Sequence, residues 1–376
     1  MFSNPMIRAD RRWFCCGLAT LTATMLMVGC ASWVSYPPSP VAFDGVEVLP
    51  SSERRHGSQE VSVQFFGTST LTFFDGSNRW MTDGWFARHT PFQTLFTTLT
   101  PNEGQIQDAL ERLDLDPNDI QAIIPLHAHF DHAMDAPVVA AHTGARLYGD
   151  RSIGRLAQAY NAQQIRNSDT PTATATFCDI SDKRLIEVGD FRIHFLDTNH
   201  IPFPCPIEAA IGEGTTVEPR DQLAGKVWDF EMGTSWTLYV DHPAHQFIVT
   251  GTAGLMSGLD AYSDKNIDTL FLSIGAIGRQ DDDYLKEFWR STVETVWPKR
   301  VVFIHWDSFT GSTQEPFTGM ASILGYSIGQ ESKASAFLRK KVAGLSHCME
   351  FATLPRIDNV VLTRPEGRNT CVDARP

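Results

Sequence analysis

The sequence predicts an α/β domain in which several strands end at histidines. Apolar segments of strand length alternate with segments of helical periodicity from about residue 60 onward. Three strands that are far apart in the chain end near histidines, at 127–132, 200 and 305. Open α/β sheets bind ligands at the carboxyl ends of their strands, so these histidines are candidates for a common site.

Residues 1–30 are predicted to be an export signal and not part of the fold. Arginines precede an uncharged run from Trp13 to Val28, and Gly29-Cys30 follows. The segment "MVGC" is typical of a lipoprotein signal, which would make Cys30 the lipid-attached first residue. An uncleaved anchor is the alternative. Either route predicts a membrane partner and a domain on the periplasmic side of a bacterial cell envelope.

Residues 31–58 are rich in Pro and Ser and are predicted to be a tether, followed by one domain over 59–376. The net charge of −13 argues against a nucleic-acid partner, because no basic block offsets it. Four cysteines remain after the signal, and disulfides are plausible in an oxidising compartment. The sequence does not fix their pairing, but the shortest loops are closed by Cys178–Cys205 and Cys348–Cys371.

The predicted elements follow from local periodicity and turn residues. Residues 60–86 alternate apolar and polar positions, which predicts two or three strands joined by hairpins. Residues 102–115 place apolar side chains on one helical face, and an apolar strand at 120–126 follows. In the second half, hairpins are predicted at 184–200 and 235–254, and a strand and turn at 269–278. An amphipathic helix at 281–297 and a last strand at 300–309 follow.

The stretch "IIPLHAHFDHAMDA" (123–136) concentrates groups that bind metals. Alternate residues of extended backbone point the same way, so His127 and His129 would bind one ion from one side. Asp131 and His132 follow where the chain bends and would reach a neighbouring point. Imidazoles and carboxylates suit zinc and other borderline divalent ions. The spacing favours a metal site over the alternative of polar surface histidines.

"HAHFDH" resembles the H-x-H-x-D-H motif of the metallo-β-lactamase superfamily. The upstream "GTSTLTFFDGSNRWMTDGWF" is similar to the first hairpins of that family, with Asp83 at its usual aspartate, and "HTGARLYGD" is similar to a segment after the motif. The resemblance covers roughly residues 60 to 310. It implies a four-layer αββα sandwich of two mixed β-sheets flanked by helices, with metals at one edge and a hydrolase domain over 59–376.

The resemblance also implies two metal sites and a reaction. One set of ligands would be His127, His129 and His200, and the other would be Asp131, His132 and His305. The cofactor would be one or two divalent ions, zinc first, with manganese or iron as alternatives. A metal-activated water would attack a carbonyl or phosphoryl centre, and Asp131 would orient that water or accept its proton.

One position departs from the family pattern. Relatives carry a bridging aspartate in "TGD", whereas "VTGTAG" places Thr252 there. Two dications repel, and a neutral hydroxyl offsets none of that repulsion. Three outcomes are open: one metal binds tightly and one loosely, Asp307 or Asp260 replaces the carboxylate, or activity is weak or lost. A working site with altered occupancy is favoured. Asp197 and Asp307 are also candidates to fix imidazole tautomers, with an ordinary surface or turn role equally open.

The sequence therefore predicts an exported metal-dependent hydrolase of a small-molecule substrate. The opening and closing motifs resemble the branch containing lactonases and phospholipase-D-like enzymes, which implies an ester, lactone or phosphodiester, lipid-derived in view of the membrane tether. Residues 201–234 are expected to close over the site, or else to form a loop fixed by Cys205 without substrate contact. The alternative function is a non-catalytic metal-binding or scaffolding lipoprotein that retains the fold.

Overall fold

A computed structural model of the chain describes residues 39–53, 59–112, 119–167, 173–182, 184–202, 214, 220–311, 316–320, 333–365 and 371. The predicted export signal and Cys30 lie outside these residues. Within them, no helix combines the length and the apolar character needed to cross a bilayer.

The first of two sheets, here the seven-stranded sheet, holds the motif strand. Its strands are β2 (Ser62–Phe65), β3 (Leu71–Phe74), β4 (Arg79–Thr82), β5 (Ile120–Ile124), β6 (Arg146–Gly149), β7 (Thr176–Asp179) and β15 (Val360–Val361). They are ordered β15-β2-β3-β4-β5-β6-β7. Pairing is antiparallel from β15 to β4 and parallel from β4 to β7, so the sheet is mixed.

The second sheet, the eight-stranded sheet, carries the other two histidine-bearing strand ends. Its strands are β1 (Glu47–Val48), β8 (Leu185–Val188), β9 (Phe191–Thr198), β10 (Ser235–Asp241), β11 (Phe247–Thr250), β12 (Thr269–Ser273), β13 (Arg300–Ile304) and β14 (Glu350–Thr353). Their order is β1-β14-β13-β12-β11-β10-β9-β8. Antiparallel pairs from β8 to β11 and parallel pairs from β11 to β1 make this sheet mixed as well.

Helices cover the outer faces, and apolar side chains fill the space between the sheets. The helices are α1 (Pro91–Phe96), α2 (Glu103–Arg112), α3 (Phe130–Ala133), α4 (Ala136–Thr143), α5 (Arg151–Asn167), α6 (Asp282–Trp289) and α7 (Lys333–Leu345). Phe73 of one sheet stacks on Phe247 of the other with ring centroids 4.7 Å apart. Trp289 of α6 stacks on Phe351 of β14, which fixes α6 on the eight-stranded sheet. The predicted fold of two mixed sheets with flanking helices is confirmed.

The strand and helix predictions hold where periodicity was strong. Strands β12 and β13 are buried on both faces and read as nearly continuous apolar runs, as parallel strands covered by helices do. Residues 39–53 depart from the predicted tether, because β1 within them pairs in parallel with β14. This segment is part of the folded domain, and the tether expected over 31–58 was wrong there.

One of the two short-loop disulfides is present. Cys348 and Cys371 form a disulfide across a sequence separation of 23 residues. Cys178 is a free, half-buried thiol, and Cys205 lies outside the described residues. The disulfide ties the chain after β15 back to the loop that follows α7, so it constrains the unfolded chain more than the site itself.

Candidate metal centre

Six predicted ligand residues line one pocket. The turn after β5 supplies four of them, and the chain just beyond β9 and β13 supplies the other two. They form two sets of three whose ligand atoms lie within 4.8 Å of one another: His127, His129 and His200 (the three-histidine set), and Asp131, His132 and His305 (the carboxylate set). The fold thus brings together residues that are up to 178 positions apart (127 to 305).

The carboxylate set is compact. Asp131 Oδ2 lies 3.7 Å from His132 Nε2 and 3.7 Å from His305 Nε2, and the two nitrogens are 3.3 Å apart. Ligands held tetrahedrally at about 2.0–2.1 Å from a zinc ion are separated by about 3.4 Å. The three atoms are therefore spaced as one small divalent ion requires.

A carboxylate behind His132 decides which ring nitrogen faces the pocket. Asp83 Oδ2 lies 2.8 Å from His132 Nδ1, and Asp83 Oδ1 accepts a hydrogen bond from the Leu126 N–H at 2.8 Å. Ser69 Oγ is a further neighbour of the same Nδ1 at 3.2 Å. Because Nδ1 donates its proton to Asp83, Nε2 presents a lone pair to the pocket. Ligating histidines in proteins are oriented in this way.

The three-histidine set has a similar support at one of its rings. His200 Nδ1 lies 2.9 Å from the Ile201 carbonyl oxygen, to which it donates, so Nε2 is the unprotonated nitrogen. His127 Nε2 and His129 Nδ1 are 3.0 Å apart. The rings of His127 and His200 meet with centroids 5.0 Å apart. All three imidazoles therefore converge, but no carboxylate belongs to this set.

Burial keeps most of these rings neutral, which is the state that binds metal. Burial, and then the charge of His132, holds the pKa of His127 and of His305 well below its usual value. Burial lowers the pKa of His200 to about 4, although the hydrogen bond to the Ile201 carbonyl acts to raise it. Burial also acts on His132, but the neighbouring carboxylates outweigh it and raise its pKa.

The donor set fits a divalent metal, and an observation besides the ligand types supports the fit. His127 Nδ1 and His305 Nδ1 are buried polar atoms without a hydrogen-bond partner among the described residues. Buried polar nitrogens are costly unless something compensates them. A cation bound by the Nε2 atoms of these rings would compensate the free-energy cost of burying so many imidazoles together. The two sets would hold one or two ions, as the sequence predicted.

The backbone at the site is strained where the ligands are delivered. Asp83 and His305 have positive φ values of 56° and 57°, and Thr68, whose carbonyl accepts the His305 N–H, has 52°. Such conformations cost non-glycine residues about 1 kcal/mol or more each and persist where surrounding contacts enforce them. A Cβ at Gly275 would lie 2.7 Å from His305 Nδ1, so the ring needs glycine there.

Thr252 lies in the pocket, as the motif comparison indicated, and is almost fully buried. Its Oγ1 accepts a hydrogen bond from the Ile201 N–H at 3.2 Å. Thr252 therefore supports the loop that carries His200. Among the pocket-lining residues that the structure describes, Asp131 is the only carboxylate.

The three other acidic candidates are placed elsewhere. Asp307 is buried, but its Oδ1 accepts the Thr68 N–H at 2.7 Å and its Oδ2 faces Arg88 at 3.9 Å. It contacts neither the pocket nor an imidazole in the described contacts. Asp197 is exposed on β9, and Asp260 is exposed in a short 3₁₀ helix. The expectation that Asp307 or Asp260 replaces the missing carboxylate does not match this geometry.

Two residues at the site were underestimated from the sequence. Asp83 was noted only as the usual family aspartate, and its contact with His132 was not foreseen. Arg88 was missed: it is buried, lies 4.3 Å from the centroid of the Trp85 ring, and donates to the Phe66 carbonyl at 3.0 Å. The signal for Asp83 was its place directly after a strand, whereas no local pattern marks a buried arginine.

The rest of the pocket wall is largely apolar. Phe130, Ile201, Phe309 and Met320 are among its lining residues. The Ala128 N–H donates to the Met232 carbonyl at 2.8 Å, which places part of the predicted 201–234 loop beside the motif. Most of that loop before residue 220 lies outside the described residues. The described portion supports a role in shaping the pocket.

Comparisons with known proteins find a family model that matches part of the chain and several distantly similar solved structures. The sequence model described as "Metallo-beta-lactamase superfamily" matches residues 89–212. No curated protein sequence matches the chain. The metallo-beta-lactamase fold protein YhfI from Bacillus subtilis is 14% identical with a TM-score of 0.45, covering 80% of this chain and 98% of its own.

Two further solved structures are similar at the same level. Igni18, a metallo hydrolase from the archaeon Ignicoccus hospitalis, is 14% identical with a TM-score of 0.44, covering 80% of this chain and 97% of its own. CmlA, a diiron beta-hydroxylase from Streptomyces venezuelae, is 12% identical with a TM-score of 0.44. The match covers 81% of this chain and 54% of CmlA. Similarity this low carries no information about substrate or metal.

Proposed function

We propose that the chain is a metal-dependent hydrolase of a small ester, lactone or phosphodiester, in line with the match of residues 89–212 to the metallo-beta-lactamase superfamily model. The observation that carries the proposal is the convergence of two ligand sets in one pocket. Four of the five imidazoles and the carboxylate are buried there, and His200 is half-buried. Hydrogen bonds turn the ring lone pairs of His132 and His200 inward. Ring lone pairs and a carboxylate that face the same pocket are the arrangement that binds divalent ions.

The residues of the chain divide the work of the reaction. His127, His129 and His200, with Asp131, His132 and His305, would hold the metal. A bound divalent ion would acidify water and stabilise negative charge on the group under attack. In this proposal Asp131 also orients the attacking water or accepts its proton. Burial raises the pKa of Asp131, which brings its carboxylate closer to the range of a useful base.

The pocket wall supports a substrate with an apolar group next to the scissile bond. Phe130, Ile201, Phe309 and Met320 offer carbon surface and no charge. An acyl or alkyl chain in contact with them would exclude water from the reacting centre. This is consistent with a lipid-derived ester, lactone or phosphodiester, and with the net charge that disfavours nucleic acid.

We also propose that the protein works outside the cytoplasm, attached to the membrane through Cys30. The support is the order of arginines, uncharged run and "MVGC" in residues 1–30. Substituting Cys30→Ser in the full chain should move the protein from the membrane fraction to other fractions of cells. A membrane fraction unchanged by that substitution would contradict lipid attachment at this residue.

Hydrolysis of chromogenic substrates tests the proposed activity. The full chain is assayed with p-nitrophenyl esters, a lactone and bis(p-nitrophenyl) phosphate, before and after removal of metal with a chelator. Turnover should disappear with the metal and return when zinc or manganese is restored. Asp131→Asn should lower the rate by about 100-fold or more. Asp260→Asn is the matched control, because this exposed carboxylate lies away from the pocket, and should leave the rate unchanged.

Two results would contradict the hydrolase. Turnover that survives complete removal of metal would place the chemistry elsewhere in the chain. A protein that binds metal yet cleaves none of these substrates, including esters with long acyl chains, would favour the metal-binding or scaffolding lipoprotein instead. Thr252 is the observation that keeps this second function in view, since it removes a charged ligand from the site.

A further inference from the structure

The two ligand sets have unequal charge. The carboxylate set contains Asp131, and Asp83 stands 2.8 Å behind His132 as a second buried carboxylate. The three-histidine set contains neutral rings only. Ionic attraction in a buried site is strong because little water screens it. A dication is therefore favoured much more at the carboxylate set.

The rest of the pocket lining does not correct this imbalance. Thr252 lines the pocket with a neutral hydroxyl, and its Oγ1 is already engaged as acceptor of the Ile201 N–H. Asp307, the nearest acidic alternative along the chain, is held by the Thr68 N–H and faces Arg88. In the described part of the chain, no second carboxylate lines the pocket. Nothing described there would offset the repulsion between two bound dications.

The geometry of the two sets points in the same direction. All three ligand atoms of the carboxylate set face one another at 3.3 to 3.7 Å, with His132 fixed by Asp83. In the three-histidine set, His127 Nε2 and His129 Nδ1 lie 3.0 Å apart, and the neutral backbone carbonyl of Ile201 orients the His200 ring. A charged carboxylate thus fixes a ring of the carboxylate set, whereas a neutral carbonyl fixes a ring of the three-histidine set.

We propose that the two sets fill in order: the first divalent ion binds tightly at Asp131, His132 and His305, and the second binds weakly at His127, His129 and His200. Thr252 sets this difference, because it removes the charge that would make the second ion tight. The inference rests on the proposed metal-dependent function, but it concerns the order of binding and not the reaction. The second affinity is expected to be weaker by on the order of 100-fold or more.

Zinc titration of the metal-free full chain against a chromogenic chelator measures this directly. The wild-type protein should show one tight and one weak site. Thr252→Asp adds a carboxylate to the pocket lining and should produce two tight sites. Thr252→Asn is the matched control, because it is polar, similar in size to aspartate and uncharged, and it should keep one tight site.

Removing one ligand from each set identifies which set is filled first. His305→Ala should abolish the tight site, whereas His200→Ala should leave it and remove the weak one. Circular dichroism and thermal unfolding of each variant establish that the fold is intact, and His305→Asn and His200→Asn provide second versions of each change.

Three results would overturn the proposed order. These are two wild-type sites of equal affinity, a tight site that survives in His305→Ala and is lost in His200→Ala, or a Thr252→Asp protein with unchanged affinities. Any of them leaves the proposed hydrolase standing, since metal would still bind. Absence of zinc binding in every protein would instead overturn the proposed function itself.

Discussion

Two clusters of histidine and aspartate in this protein look alike by composition and differ in chemistry. The carboxylate set in the pocket is Asp131, His132 and His305, and a second cluster, here the hairpin cluster, is Asp75, Asp190 and His242. In both, three possible ligand atoms lie within 4.8 Å of one another. The difference lies in what each ring bonds on its other side.

In the pocket, the hydrogen bond behind the ring exposes a lone pair. His132 Nδ1 donates to Asp83, so Nε2 faces Asp131 and His305 without a proton. In the hairpin cluster, His242 Nδ1 accepts the Ala244 N–H at 3.2 Å, so the neutral ring carries its proton on Nε2. That proton points at Asp75 Oδ2, 3.6 Å away.

Asp75, one of the two carboxylates of the hairpin cluster, is already occupied by backbone hydrogen bonds. Asp75 Oδ1 accepts the N–H groups of Ser77 and Asn78 at 2.9 and 2.6 Å, which stabilises the turn between β3 and β4. The cluster therefore joins three hairpin turns, those after β3, β8 and β10, and stabilises the fold. Proximity of histidines and carboxylates does not define a metal site; the proton on each ring decides it.

Removing the pocket ring should have the largest effect on metal binding. His132→Ala deletes a ligand of the carboxylate set, and bound metal after dialysis should fall by about one ion per chain. His242→Ala is the matched control, a buried histidine beside an aspartate, and should retain all its metal. Elemental mass spectrometry of both full-length variants makes the comparison. Loss of metal from His242→Ala would break the distinction between the clusters.

Reversing the hydrogen bond behind His132 should have the next largest effect. Asp83→Asn keeps the size of the side chain, but its amide would donate to Nδ1 and place the ring proton on Nε2, toward the pocket. Zinc affinity should fall by about 10- to 100-fold. Competition with a chelator of known affinity measures this fall. An affinity equal to wild type would show that Asp83 does not fix the tautomer.

The corresponding change in the hairpin cluster should reduce stability and leave metal unaffected. Asp75→Asn weakens the contact with His242 and the bonds that hold the turn. We expect the free energy of unfolding to fall by about 1–3 kcal/mol, the usual cost of disturbing a buried hydrogen-bond network. Urea denaturation measures it, with metal content determined on the same sample. A fall in metal content without loss of stability would contradict this assignment.

The smallest expected effect is a pH dependence of stability. Burial lowers the pKa of His242, against the opposing charges of Asp75 and Asp190. The unfolded chain takes up a proton on this ring near pH 6.5, whereas the folded ring does so only at lower pH. Stability from this residue is therefore lost as pH falls below about 6.5. His242→Gln should show a smaller loss of stability than wild type between about pH 7.5 and 5.5, measured by urea denaturation; an equal loss would assign the effect to other groups.

The sequence was informative where a signal was local. The four motif residues 127, 129, 131 and 132 lie within six positions, and buried strands such as β13 show as apolar runs. His200 and His305 followed from their place after predicted strands. Short elements were missed: α1, β14 and β15 have six, four and two residues, and their stability comes from packing against distant parts of the chain.

The electrostatic partners of the site residues could not be predicted from the sequence, because they are far apart along the chain. Asp83 reaches His132 across 49 positions, and Asp307 is held by Thr68 across 239 positions. No spacing rule distinguishes Asp307, which supports a loop, from a carboxylate that reaches the pocket. Thr252 was found because it interrupts a motif, but its bond to the Ile201 N–H required the folded structure.

Metal content of the full wild-type chain, purified without added metal, tests the central claim most directly. Elemental mass spectrometry should find about one divalent ion per chain, rising toward about two when zinc is supplied in excess. A chain that holds no divalent ion under either condition would contradict the metal centre and the hydrolase built on it.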